Sequence, residues 1–217
     1  MKDKMASVNL DLTPSLDEIK SNLHHDSRWG IGRALKEGLT INEANQQDLN
    51  EFYEIYYKYI SSLDIGIGHS LSDIMANAVV LFVCKKQGKI IAGAALELTN
   101  DRGYTQETLP TLYINASLPE YLYTQPNNLL YWECIKWAKA KGYPSIDWGG
   151  YQINPRDNLI GVNKFKEKFG KVIYFERDFP FFKAIGRKLI RRFKCLWGLN
   201  KKIRKLKKRI WPGMVYN

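Results

Sequence analysis

The sequence predicts a layered α/β domain with a mixed sheet. Three observations carry this. Apolar runs of strand length alternate with amphipathic helical patterns along residues 15–178. Two of the runs, Val79–Lys85 and Lys89–Leu98, flank Gln87-Gly88, which reads as a hairpin turn. A third run, Thr111–Ala116, is followed by a helical pattern and then by Ser145–Trp148, the order of a strand, a crossover helix and a second strand.

Each element has a local reason. Ser15 and Glu18 after Pro14 form a capping-box pattern, so a helix starts there and runs, with a break near His25, to Lys36 and the stop at Gly38. Leu39–Ala44 is a short β segment. Gln46–Ile60 is helical, with Leu49, Phe52, Ile55 and Tyr56 on one face. Gly66 and Gly68 break the chain, and Ser70 with Asp73 caps a helix to about Ala78. Thr99–Thr108 is a polar loop. Pro126-Asn127 opens the crossover helix, whose buried stripe is Leu130, Cys134, Trp137 and Ala138, and Gly142 ends it. A helix over Gly161–Lys168 and a strand over Lys171–Glu176 complete a domain assigned to residues 1–178.

The 217 residues are enough to bury a sizeable core, and 45% hydrophobic with 25% charged residues is ordinary for a globular protein. Met1–Asp11 has no long apolar run, and no stretch approaches the roughly 20 apolar residues of a spanning helix. Three cysteines in apolar contexts, Cys84, Cys134 and Cys195, point to a reduced, cytoplasmic protein. His24 and His25 are adjacent and His69 is remote, so no zinc-ligand spacing exists and no metal is expected. Gly30-Ile31-Gly32 and Gly66-Ile67-Gly68 lack the strand, helix and third glycine of a dinucleotide loop. No serine or cysteine sits in a nucleophile elbow.

The segment richest in chemistry is Asp147-Trp148-Gly149-Gly150 and the helix that follows. An acidic residue closes an apolar strand, two glycines make a tight turn, and a short helix presents Phe165 and Lys166 before Gly170. Lys166 is a compact cation able to stabilise an oxyanion or hold a phosphate; equally, it is one of three solvated helix lysines with Lys164 and Lys168. Asp147, at a strand end, can position an amine or act as a base, or can cap the glycine turn through its side chain. Gly149 and Gly150 supply backbone geometry at a binding surface. Tyr113 should face the opposite side of its strand from Leu112 and Ile114, as a cleft hydrogen-bond donor or a half-buried core residue. Glu97 is a candidate base or a solvated strand end. Arg28 and Arg33 either bind phosphates or face water.

These residues, in this order, resemble the second acyltransferase-like domain of Fem-type peptidyltransferases. The resemblance spans about Leu10–Phe179. It rests on Asp11-Leu12, Arg28, Arg33-Ala34, Lys36 and Gly38-Leu39, on Gly88–Gly93, on Tyr113, Ala116 and Ser117, on Pro126-Asn127, and most strongly on Asp147–Gly170. It implies a GNAT-like acyltransferase fold with a mixed, mostly antiparallel central sheet flanked by helices. It also implies transfer of an amino acid from aminoacyl-tRNA to an amine of a lipid-linked or nucleotide-linked peptidoglycan precursor, without a cofactor. Lys166 and Asp147 would be catalytic, and Phe165, Tyr113, Gly149, Gly150, Arg28 and Arg33 would bind substrate. Fem enzymes have two such domains in tandem, and some carry a coiled-coil arm. This chain has room for one domain and no arm, so a partner chain supplies the other domain, the substrate differs, or activity has been lost.

Two alternatives share the fold. One is an N-acyltransferase using acetyl-CoA or another acyl thioester on a sugar or small amine. Such enzymes usually hold the pyrophosphate with a basic, glycine-rich loop before the crossover helix, whereas Leu118–Asn128 contains no glycine, lysine or arginine. The other is a non-catalytic, membrane-associated binding subunit.

Residues 179–217 form a separate tail carrying thirteen of the 33 basic residues and no acidic one. Phe182, Ile185, Leu189, Phe193, Leu196 and Trp197 recur at helical spacing, so the tail reads as a basic amphipathic segment suited to the anionic inner face of a membrane, or to nucleic acid. Neutralising Lys201–Arg209 should weaken sedimentation with anionic vesicles, and unchanged sedimentation would exclude the membrane role.

Overall fold

The computed structural model describes residues 2–62, 68–100 and 104–178. The basic tail assigned from sequence, 179–217, lies outside the described residues. Residues 4–175 form one compact unit, and the described residues 2–3 and 176–178 belong to a second.

The unit is built on a seven-stranded sheet. In chain order its elements are β1 (Lys2–Asp11), α1 (Leu16–Asn22), α2 (His25–Lys36), β2 (Thr40–Glu43), α3 (Gln46–Ser62), α4 (Leu71–Asn77), β3 (Ala78–Lys86), β4 (Lys89–Thr99), β5 (Leu109–Ser117), α5 (Pro126–Ala140), β6 (Ser145–Gly150), α6 (Asp157–Glu167) and β7 (Lys171–Asp178), with a 3-10 turn over Pro119–Thr124. The strand order is β2-β3-β4-β5-β6-β1-β7. β2 through β5 and the β6/β1 pair are antiparallel, while β5 and β6 are parallel and joined by α5. The sheet is therefore mixed and mostly antiparallel, as expected.

Both capping boxes form: Ser15 with Glu18 on α1, and Ser70 with Asp73 on α4. At the β3/β4 hairpin, Gln87 (φ 51°) and Gly88 (φ 80°) both take positive φ, the two-residue turn whose twist matches the strands. β1 is an element that the sequence reading missed. Its signal is the alternation Ala6-Ser7-Val8-Asn9-Leu10, with Ala6 and Val8 buried.

Helices cover both faces. α1, α2 and α5 pack on one face, where Ile31, Ala34, Leu130, Cys134 and Ala138 meet Val8, Phe82, Leu96, Ile146 and Trp148. α3 and α4 pack on the other, where Phe52, Ile55, Tyr56 and Ile74 meet Leu81, Val83, Ala95 and Ile114. Burial on both faces is why β3 and β4 read as unbroken apolar runs rather than alternating ones.

Two glycines mark close approaches. A Cβ on Gly93 would lie 2.6 Å from the Phe52 ring, so α3 sits directly on β4 there. A Cβ on Gly170 would lie 2.5 Å from the Asn9 backbone oxygen, which cannot move aside as a flexible side chain can. Gly170→Ala should therefore cost about 1–3 kcal/mol, typical of overpacking. Gly161→Ala, inside α6 with open space around it, should be neutral or stabilise by about 0.5–1 kcal/mol. Urea unfolding of the two variants checks both signs.

Candidate active site

The site is a split in the middle of the sheet. β5 and β6 pair at Thr111↔Asp147 only, although β5 has nine residues and β6 six. Two irregularities drive them apart. On β5, Ile114 pairs with Ala95 and Leu112 with Leu96, so Tyr113 is an extra residue. On β6, Asp147 pairs with Asn9 and Gly150 with Ser7, so three steps on β6 match two on β1. Each is a β-bulge, which increases twist and ends regular pairing. Beyond the last contact, where the Leu112 oxygen lies 3.2 Å from the Cβ position of Gly149, the β6-facing edge of β5 has no strand paired to it among the described residues. Such an edge can receive an extended ligand through main-chain hydrogen bonds.

Asp147 holds the β6 bulge. It is fully buried. Oδ1 accepts the Ser7 hydroxyl and the Gly149 N–H (2.6 Å), and Oδ2 accepts the Tyr104 hydroxyl (2.7 Å). The Ser7 hydroxyl oxygen also lies 2.9 Å from the Gly149 carbonyl oxygen. Gly149 has φ +78°, a conformation that disfavours any residue with a Cβ. The expectation of a tight Gly149-Gly150 turn is therefore corrected: both glycines lie within β6, and the Asp147-to-Gly149 bond stabilises a bulge in a continuing strand. Of the two roles read for Asp147, the side-chain bond to the glycine segment is formed, and burial with donors from Ser7, Tyr104 and Gly149 ties the carboxyl group into the scaffold. Ser7 and Tyr104 were not foreseen; Tyr104 lies in the loop read only as polar.

Lys166 borders the split. Its Nζ donates to the Gly150 carbonyl at 3.0 Å and lies 3.7 Å from the Cβ position of Gly149. An aromatic stack fixes the helix that carries it. Phe165 meets Tyr131 edge-on (4.9 Å) and Phe169 (5.3 Å), and Tyr131 stacks on Trp148 (4.3 Å). The Trp148 indole N–H donates to the Phe169 carbonyl at 2.9 Å. Phe165 is thus an anchor as well as a neighbour of Lys166.

Tyr113 is also placed differently from the strand alternation. The bulge turns it to the α3 side together with Ile114, opposite Leu112. Its hydroxyl is 2.9 Å from His69 Nδ1, and the two rings pack at 4.3 Å. The His69 backbone N–H donates to the Tyr56 hydroxyl at 3.0 Å. Burial, then Glu97 and Asp73, push the Tyr113 hydroxyl above the usual tyrosine range. Glu97 lies on β4, paired with Thr111. His69 joins the site only through the fold; its 44-residue separation from Tyr113 leaves no local signal.

On the opposite face, α5 starts at the mouth of the split. Ser117 (2.7 Å) and Asn115 (3.2 Å) both donate to Asn127 Oδ1. A Cβ on Gly30 would lie 2.5 Å from Asn128, so α2 packs directly on this helix start. The segment Leu118–Asn128 has no basic residue of its own, but the β3/β4 hairpin supplies two: Lys86 lies over Tyr123 (5.4 Å) and Lys89 over Tyr121 (5.2 Å). Lys86 also pairs with Glu37 at 2.8 Å, so its charge is already matched.

The two arginines do not enter the split. Arg28 donates to the Ser21 and Leu23 carbonyls, both at 2.6 Å, closing the end of α1. Arg33 pairs with Glu37 and, with Trp29, Gly32 and Lys36, lines a surface depression of about 320 Å³ on α2. His24, His25 and Asp26 gather ligand atoms within 4.8 Å at the surface, but Lys168 already bonds the Asp26 carboxylate at 2.6 Å. Burial pushes the Cys84 thiol up to about 12, as expected of an inert core thiol. Among the described residues, no helix is long and apolar enough to cross a membrane.

Residues 68–167 match the family model described as an acetyltransferase (GNAT) domain. No curated protein matches the sequence. The fold is similar to that of FemX (TM-score 0.63, 16% identity), covering 79% of this chain and 60% of that one. It is also similar to L-PGS from Bacillus licheniformis (TM-score 0.55, 16% identity), covering 88% and 66%. A third likeness is to the GCN5-related glucosamine N-acetyltransferase region of a fungal multi-domain beta-N-acetylglucosaminidase (TM-score 0.50, 12% identity), covering 80% and 20%. The chain spans less than two thirds of the length of FemX and of L-PGS. The fold is GNAT-like, an α/β sandwich with the split sheet just described.

If Asp147 is a scaffold residue, Asp147→Asn should destabilise, because an amide replaces an acceptor with a donor among buried hydroxyl and N–H groups. A loss of about 1–3 kcal/mol in urea unfolding is expected. A variant as stable as wild type would instead assign Asp147 to chemistry.

Proposed function

We propose that this protein is an N-acyltransferase that moves an acyl group from a thioester or ester donor to a primary amine. The observation that carries this reading is the split between β5 and β6, with Lys166 on one border and the start of α5 at its mouth. An extended donor arm can pair along the open β5 edge, which fixes its carbonyl without a metal or a covalent intermediate. Positioning of this kind can contribute ~7–11 kcal/mol to the barrier reduction. Lys166 then supplies positive charge next to the oxyanion that develops on the carbonyl, where a preformed cation is most effective.

The donor favoured is an acyl thioester on a phosphopantetheine arm. The match of residues 68–167 to an acetyltransferase domain supports it, and so does Lys89, carried to the segment before α5. A second reading is an aminoacyl ester on tRNA, with an amine of a peptidoglycan precursor as acceptor on the inner face of a membrane. The position of Lys166 in the segment that resembles the Fem family, and the absence of glycine from Leu118–Asn128, favour it.

The test is transfer of label to an amine panel (aminosugars, lysyl peptides and lipid II) from acetyl-CoA, acyl carrier protein and charged tRNAs in parallel. Wild type should use one donor class, and Lys166→Ala should lose about 10²–10³-fold in kcat. An unchanged rate in Lys166→Ala would make this lysine an ordinary helix residue. Absence of transfer from every donor would exclude the acyltransferase reading.

A further inference from the structure

An alkyl amine is protonated near neutral pH, with a pKa of roughly 10, and must lose a proton before it can attack a carbonyl. On the β6 side, Lys166 donates to the Gly150 carbonyl, and the buried Asp147 carboxyl group already accepts from Ser7, Tyr104 and Gly149. The α3 side of the split carries a different pair. Tyr113 directly follows Leu112, whose oxygen lies 3.2 Å from the same Cβ position of Gly149 that Lys166 Nζ approaches to 3.7 Å. Tyr113 and Lys166 therefore flank one stretch of the split. The Tyr113 hydroxyl sits 2.9 Å from His69 Nδ1, the two rings pack at 4.3 Å, and the His69 backbone N–H donates to the Tyr56 hydroxyl.

We infer that Tyr113 and His69 form the proton relay that activates the acceptor amine, with Tyr113 contacting the amine and His69 acting through it. The inference rests on the acyl-transfer reading. With neutral His69 protonated on Nε2, Nδ1 accepts the Tyr113 proton while the Tyr113 oxygen takes one from the ammonium. The free amine lone pair then forms the C–N bond to the acyl carbon. The C–S or C–O bond of the donor breaks with its electron pair on the leaving group. An ammonium loses two protons on becoming an amide N–H. The first passes through Tyr113 to His69 and out to water; the second, lost from the tetrahedral adduct, goes to the leaving group.

The surroundings suit the role. The charged and titratable groups facing the pair are Asp73 on α4, Glu97 on β4 and Tyr56 on α3. Burial, then the two carboxylates, keep the Tyr113 hydroxyl protonated, so that it passes a proton rather than resting as a phenolate. His69 is exposed, which lets it return its proton to solvent.

The test is the pH dependence of kcat/KM from pH 5.5 to 9, using the donor and amine that turn over in the assay above, for wild type, His69→Gln, Tyr113→Phe and the double variant. Wild type should lose activity on the acid side with the slope of one group in the histidine range. His69→Gln should lack that limb and fall about 10²-fold or more at its plateau. Tyr113→Phe should fall similarly, with no further loss in the double variant. Added imidazole should restore part of the rate to His69→Ala. In wild type, ¹⁵N NMR should show Nδ1 of His69 as a hydrogen-bond acceptor, and the signal should move in Tyr113→Phe. Turnover in His69→Gln with an unaltered pH profile would overturn the relay and leave acyl transfer standing. Failure of wild type with every donor would remove both.

Discussion

The structure depends most on one buried carboxyl group. Asp147 draws donors from three separate segments: the Ser7 hydroxyl of β1, the Gly149 N–H of β6 and the Tyr104 hydroxyl of the loop before β5. Burying a carboxyl is costly unless its oxygens are satisfied, and here each accepts at least one bond. The return is geometric. The Asp147-to-Gly149 bond closes a bulge that only a glycine adopts without strain, and the bulge sends β6 away from β5. A regular strand here would continue the parallel ladder and leave no split.

The split gives the sheet two chemically different sides. On the side of α5, Asn127 is tied to Asn115 and Ser117, and the hairpin lysines lie against Tyr121 and Tyr123. With Lys86 paired to Glu37, this side offers the Lys89 ammonium and a helix start. On the side of α3 and α4 the hydrogen-bonded Tyr113–His69 pair faces Asp73 and Glu97, an acidic environment that suits an ammonium. A ligand pair meeting in the split would thus be sorted by charge. Lys166 borders the split, on a helix anchored by the Phe165–Tyr131–Trp148 cluster.

Much of the fold was legible because its signals are local. The capping boxes at Ser15 and Ser70, the hairpin at Gln87-Gly88 and the apolar runs of β3 and β4 each lie within a few residues of what they specify. β1 is equally local, marked by the alternation Ala6-Ser7-Val8-Asn9-Leu10 in a stretch without a long apolar run. The nearness of Lys166 to Gly149 and Gly150 was also legible, since the strand and the following helix are contiguous.

The sequence by itself determined the elements, their order and the mixed sheet, because hydrophobic periodicity, caps and turn residues act over one or two turns of chain. Only the tertiary structure decided what the polar residues do. Asp147 became a strut because Ser7, 140 residues away, reaches it. Tyr113 turned to the α3 side because a bulge broke the two-residue period on which its assignment rested. Lys86 and Lys89 reached a segment without basic residues because the hairpin ends beside it. A hydrogen bond or an ion pair depends on distance in space, and for these side chains that distance is set by sheet order and packing rather than by position along the chain.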